Sequence, residues 1–178
     1  MYGQNAGVVN ESSELNPQSF YAEMKINCEY ELRKFQESTG NGLVIFRLAN
    51  VYSENLDASS KGLIESLIVS AKNNTKFNYF VEKNSLKQYG QYQDYAIYIK
   101  LFLEQNFEFF VIRNICPTHL YTVEKIKEYI ETFYNLQIKA HSILGSPEET
   151  VILTNNNLAN TNNFSWRSLH DFLNELNK

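Results

Sequence analysis

The sequence has little of what would place it in a specialised class. Its two cysteines, Cys28 and Cys116, stand far apart with no Cys-x-x-Cys spacing. That pattern argues against a disulfide framework and fits a reducing cytoplasm, with both thiols expected as small buried hydrophobes. The histidines His119, His141 and His170 are equally scattered, and no pair has the helical spacing of a zinc site, so no metal is expected. No Pro/Gly/Ser linker divides the chain and no internal repeat is found. Long apolar runs are missing and no secretory leader is expected, which excludes a membrane-spanning helix. Positive charge is not in excess either. With a net charge of -4 the chain lacks the basic stripe that neutralises several phosphates, so nucleic acid is not an expected partner.

What is present fits an ordinary globular domain. An apolar fraction of 43% in 178 residues suffices for a real core. Helical and strand patterns alternate along the chain, which predicts an α/β architecture. Ser19 is a plausible N-cap for a helix running to about Ser38, with an apolar stripe at Met24, Cys28, Leu32 and Phe35. Gly40 and Gly42 read as its C-cap and turn. Leu43 to Leu48 reads as a buried strand of the parallel-sheet kind. Further on, the patterns predict a helix near Lys61 to Lys72 and strands at Phe77 to Val81, Tyr95 to Ile99 and Phe109 to Arg113. Two amphipathic helices follow, one with Val123, Ile126, Ile130 and Phe133 on a face, the other with Leu169, Phe172, Leu173 and Leu176. Between them a polar Asn-rich loop runs from Thr154 through Asn163, and Trp166 restarts the last helix.

One short constellation carries chemistry. Tyr21 and Lys25 lie four apart just after the helix-start signal, and residues at that spacing share a face. A phenol is a poor base at neutrality, but an adjacent cation favours phenolate and makes a tyrosine usable as proton donor and acceptor. The spacing alone is weak, since Tyr30/Lys34, Tyr79/Lys83 and Tyr121/Lys125 repeat it. The first pair is set apart by Met1-Tyr2-Gly3 upstream, by Asn16-Pro17-Gln18-Ser19 before the helix, and by the strand ending Arg47-Leu48-Ala49-Asn50-Val51-Tyr52.

These motifs resemble the second half of the extended short-chain dehydrogenase/reductase family, the NAD-dependent epimerases and dehydratases acting on nucleotide-sugars. That family carries Tyr-Gly, then Asn-Pro-x-Ser-x-Tyr-x-x-x-Lys, then Arg-x-x-Asn-Val-Tyr, and later an Arg-Asp-Tyr/Phe element matched here to Gln93-Asp94-Tyr95. The stretch Arg113-Asn114-Ile115 and a helix beginning near Thr122 resemble its later segments. The resemblance implies the second half of a Rossmann-like doubly wound parallel sheet over residues 1–54. Residues 55–178 would then form mainly a small α/β substrate-binding region, with some segments returning to the sheet. No glycine-rich fingerprint follows a strand, although dinucleotide binding of this kind needs backbone N–H groups close to a pyrophosphate. The nucleotide-binding half, about a hundred residues or more including the family's catalytic Ser/Thr, is therefore expected ahead of Met1. A truncated product, an internal start or half of a split protein would each produce such a chain.

The resemblance assigns roles residue by residue. Tyr21 is implied as general acid/base at a sugar hydroxyl, and Lys25 as the cation that stabilises its phenolate and hydrogen-bonds the nicotinamide ribose of NAD or NADP. Leu48 and Ala49 match backbone beside the nicotinamide, Asn50 matches a contact to the nucleotide-diphosphate sugar, and Arg47 reads as a structural pairing residue. Gln93 stands at the family's diphosphate-binding arginine. A neutral amide there loses a charge-assisted contact unless Lys83, Lys87 or Arg113 replaces it. Ser53 likewise replaces a glycine. The implied partners are a nucleotide-sugar, a second copy of the chain through the Tyr21/Lys25 helix, and an N-terminal half chain; the implied pathway is cell-surface polysaccharide synthesis. A non-catalytic remnant or interaction module is the alternative.

Overall fold

Local sequence sets the first helix. In this computed structural model, which describes residues 1–3, 7–53, 62–79, 82–105, 108–142, 150–154 and 164–175, α1 spans Phe20–Thr39. Ser19 caps it by accepting from the Ala22 N–H at 3.2 Å, and Gly40 closes it at φ 70°, a left-handed conformation that favours glycine. The expected apolar stripe does not face the core. Met24, Leu32 and Phe35 are exposed, Cys28 with them, and only Ala22 and Gln36 of this helix are buried. Cys116 is half-buried.

The strands are short and mostly parallel. β1 (Gly7–Val9) pairs in parallel with β9 (Val151–Leu153), and β2 (Leu43–Leu48) pairs in parallel with β6 (Phe110–Ile115). β3 (Asn50–Tyr52) lies parallel to β5 (Leu86–Gln91), which pairs antiparallel with β7 (Leu120–Thr122). β4 (Lys76–Tyr79) runs parallel to β8 (Lys139–Ser142). This is a mixed α/β fold whose described strands pair in four small groups, mostly parallel.

The main core forms between helices. α2 (Leu63–Asn73), α4 (Val123–Tyr134) and α5 (Leu169–Glu175) bring together Ile64, Leu67, Ile68, Val123, Ile126, Ile130, Leu169, Phe172 and Leu173, with Tyr52, Tyr89 and Tyr121 from the strands. Thr122 caps α4 through its hydroxyl, where a helix start was expected. Leu176, Lys61, Phe80, Val81 and residues 155–163 lie outside the described residues.

Two expectations are corrected. Tyr95 to Ile99 is not a strand but the middle of α3 (Tyr92–Leu103). Its alternating aromatic and β-branched residues suggest extension, but Tyr95, Tyr98 and Phe102 recur at helical spacing and are the residues buried. Trp166 does not begin the last helix, which starts at Leu169. Instead its ring packs edge-on to Tyr95 at 5.0 Å and stacks on Tyr98 at 5.8 Å, forming a second small core with Ile115.

Candidate functional site

A cavity of about 780 Å³ opens between α1, the β2–β3 junction and β5. From α1 it takes Tyr21, Lys25, Cys28, Glu29 and Leu32, a set spaced to share one helical face. From β2 and β3 come Ile45 and the run Arg47 to Val51; β5 supplies Lys87 and Gln88, and β9 supplies Val151 and Leu153. Tyr21, Lys25, Leu48, Ala49 and Asn50 thus line one cavity, the first two from α1 and the others from the β2–β3 junction. Gln93 is not among the described residues that line it. It sits in the first turn of α3, where its side chain accepts from Arg167 Nη2 at 3.3 Å. Lys87, four residues before the end of β5, is the cation found on that side of the cavity.

Each wall residue is held differently. Tyr21 is 64% exposed, and the Lys25 ammonium lies 5.4 Å from the centre of its ring, a cation–π distance. Asn50 is pinned from three directions. It pairs with Tyr89 in the β3–β5 register, its side-chain nitrogen donates to the Gln88 carbonyl at 2.9 Å, and its carbonyl accepts from the Tyr95 hydroxyl at 3.3 Å. Its amide oxygen has no hydrogen bond among the described residues. Gln88, buried, binds the backbone of β9 like a strand neighbour: Nε2 donates to the Leu153 carbonyl at 3.1 Å and Oε1 accepts from the Leu153 N–H at 2.8 Å. Ala49 is tied to β6 by donating its N–H to the Ile115 carbonyl at 3.0 Å.

Arg47 and Glu29 form a nearly buried fork, Nε to Oε1 at 2.9 Å and Nη2 to Oε2 at 2.7 Å, so their charges cancel. Burial works against the Arg47 charge, but the hydrogen bonds to Glu29 and Tyr2 outweigh it and hold the guanidinium above its ordinary value. Lys25 and Lys87 are the other charged side chains among the lining residues. Arg47 was expected to pair structurally, but its partner could not be read, because Glu29 lies 18 residues away. Gln88 gave no signal at all.

The profile of the NAD dependent epimerase/dehydratase family matches residues 1–115. No curated protein matches the sequence. Among solved structures, MoeE5 in complex with UDP-glucuronic acid and NAD superposes with a TM-score of 0.83 at 16% identity, over 97% of this chain and 59% of that one. UDP-glucose 4-epimerase from Thermotoga maritima, with UDP-glucose, gives 0.80 at 19% identity over 97% and 57%. UDP-N-acetylglucosamine 4-epimerase from Methanobrevibacter ruminantium M1, in complex with UDP-N-acetylmuramic acid, gives 0.77 at 22% identity over 98% and 57%. The chain spans somewhat under three fifths of each of these structures, and at such identities the likeness is one of fold.

Proposed function

The chain belongs to the NAD dependent epimerase/dehydratase family, and from that premise we propose that the cavity is the reaction site of a nucleotide-sugar epimerase, dehydratase or reductase, of the kind serving cell-surface polysaccharide synthesis. The convergence of Tyr21, Lys25, Leu48, Ala49 and Asn50 on one cavity carries this reading. Tyr21 takes a proton from a sugar hydroxyl or returns it, and Lys25 stabilises the phenolate that results. Asn50 offers its amide oxygen to the sugar. The diphosphate meets Lys87, which takes the part first assigned to Gln93, and Lys25 adds to the positive field.

The residues fit one end of a nicotinamide dinucleotide. Leu48 is 42% exposed beside Ala49 and offers an apolar shelf, with Tyr21 and Lys25 in the same cavity as polar contacts. When bound, the nicotinamide supplies the redox step by accepting or donating hydride at the sugar carbon. The sequence has no glycine-rich loop for the pyrophosphate. That end of NAD or NADP is left to an N-terminal half on another stretch of polypeptide.

Cys28 allows a direct test. It is exposed on the cavity wall, so bound UDP-glucose or NADH slows its alkylation and raises the melting temperature. The same ligands have no such effect on Lys25→Met. If millimolar ligand changes neither the alkylation rate nor the melting temperature of the wild-type chain, the reading is wrong for this polypeptide.

One observation favours a second reading, an interaction module. Phe20, Met24, Tyr30, Leu32 and Phe35 are all exposed along α1, more apolar surface than one helix normally shows to water. Association of two copies through α1 would cover it. Light scattering on Phe20→Ser/Phe35→Ser tests this: a variant as large as the wild type removes α1 from the interface.

A further inference from the structure

Glu29 lies one turn beyond Lys25 on α1, on the face that lines the cavity. Left to itself, a lysine and a glutamate four apart pair on a helix surface. Such a pair would draw the Lys25 ammonium down the helix and away from Tyr21. That pair is not formed. Among the described residues Lys25 makes no ion pair, and its ammonium stands over the Tyr21 ring.

The reason is Arg47. Its Nε and Nη2 occupy both oxygens of Glu29, in a fork whose side chains are only 7% and 15% exposed. The fork is itself held in place. Arg47 Nη1 donates to the Tyr2 hydroxyl at 2.8 Å, and that hydroxyl donates to Asn114 Oδ1 at 2.8 Å. Asn114, fully buried in β6, donates Nδ2 to the Thr154 carbonyl at 3.1 Å and its backbone N–H to Glu11 Oε1 at 2.9 Å. Apolar packing contributes little to holding α1, whose only buried residues are Ala22 and Gln36.

We propose that Arg47 is a positioning residue that keeps Glu29 away from Lys25 and so reserves the Lys25 ammonium for Tyr21 and an anionic ligand. The proposal rests on the reading of the cavity as a nucleotide-sugar site. Replacing Arg47 frees a carboxylate at the i+4 position, and Lys25 turns to it. Replacing both members of the fork removes the competitor, and Lys25 returns to the cavity.

Two measurements test this on the chain as it is. The first is the acetylation rate of Lys25 by acetic anhydride, read by peptide mass spectrometry without ligand. The rate falls about threefold in Arg47→Met and recovers in Arg47→Met/Glu29→Gln, because an ion-paired amine is held protonated. The second is UDP-glucose affinity by calorimetry. It weakens about tenfold in Arg47→Met, and the double variant regains most of the loss. A purely scaffolding role also lets the double variant regain stability and affinity, but it leaves Lys25 acetylation at the wild-type rate in both variants; that result would overturn the proposal. If Arg47→Met does not fold by circular dichroism, Arg47→Lys replaces it. Its single ammonium leaves one Glu29 oxygen open, so Lys25 acetylation is intermediate, and a wild-type rate there sinks the idea. Wild-type chain that ignores UDP-glucose removes the reading of the cavity, while the acetylation order still decides the role of Arg47.

Discussion

Replacing Asp94 tests how the C-terminal segment is fastened to the rest of the fold. Asp94 was expected in a diphosphate-binding element, but the structure buries it, 3% exposed, in the first turn of α3. Its Oδ1 accepts from Arg167 Nε at 2.7 Å and its Oδ2 from the Arg167 backbone N–H at 3.0 Å. Arg167 also donates to Gln91 Oε1 at 2.8 Å and to Glu175 Oε2 at 2.8 Å, so one guanidinium joins α3, the end of β5 and α5. Removing one member of a buried pair costs about 3–5 kcal/mol because the other charge is stranded. Here Arg167 remains 26% exposed and keeps three other acceptors, Gln91, Gln93 and Glu175, so water and Glu175 screen the loss. The lower end of the range, about 3 kcal/mol, is the expectation for Asp94→Ala. For a chain of this size that lowers the melting temperature by about 6–12 °C. Thermal unfolding followed by circular dichroism gives the shift, and a cycle with Arg167→Met isolates the coupling. A shift below about 2 °C, or a coupling below about 0.5 kcal/mol, would refute the reasoning and make the pair incidental.

Three further outcomes are expected. A methyl group at Gly90 would sit 2.6 Å from Tyr95 Cε2 and 2.8 Å from Pro117 Cγ, so Gly90→Ala destabilises the chain by about 1–3 kcal/mol; urea unfolding at wild-type stability would contradict this. Asp171 exchanges hydrogen bonds with Ser168 at the start of α5, and the Ser168 hydroxyl holds its carboxyl below the usual value of 3.8. A depressed folded value means the stabilisation is complete above pH 3.8 and disappears as pH falls through the lower folded value. The melting temperature of the wild type therefore exceeds that of Asp171→Asn at pH 7, the gap narrows once the pH falls below 3.8, and a gap unchanged at pH 2 would remove the cap. Burial pushes the Cys116 thiol from 9.0 up to about 11, which leaves about a hundredfold less thiolate than an ordinary cysteine at pH 8. Alkylation mass mapping should find Cys116 modified far more slowly than exposed Cys28, and equal rates would show that the β6–β7 region opens.

The legible parts of the sequence are those decided locally. Ser19 and Gly40 set the ends of α1, and Leu43 to Leu48 had the composition of the strand it forms. Where two periodicities compete, the sequence misleads. Tyr95, Ile97 and Ile99 alternate like a strand, yet the helical set Tyr95, Tyr98 and Phe102 won, because Trp166 and Phe164 arrive from far along the chain to cover it. Gln93 falls in the first turn of that helix and not among the residues lining the cavity, whereas Lys87, in β5, does line it. Nor could periodicity say which way the α1 stripe faces, since an apolar stripe looks alike against a core or against water. The Arg47–Glu29 fork and the Gln88 bonds to β9 join positions 18 and 65 residues apart, and one sequence holds no trace of such pairings.

The cavity and the main core are built from different residues, and this separates function from stability. None of Tyr52, Ile64, Leu67, Ile68, Val123, Ile126, Ile130, Leu169, Phe172 or Leu173 lines the cavity. The cavity wall hangs instead on polar links: the fork beneath α1, the Gln88 bridge to β9 and the Asn50 contacts to Gln88 and Tyr95. Apolar burial contributes in proportion to area and tolerates small shifts, whereas a bidentate ion pair fixes direction. On the proposed reading, a site that holds Tyr21, Lys25 and Asn50 in register across two elements is better served by the second. Core substitutions such as Ile126→Ala should therefore lower the melting temperature while leaving the order of ligand affinities intact. Substitutions in the polar links should change the order of ligand affinities, those in the buried fork at a cost in stability as well, and core variants whose affinity order changes as their melting temperatures fall would show that the two regions are one cooperative unit.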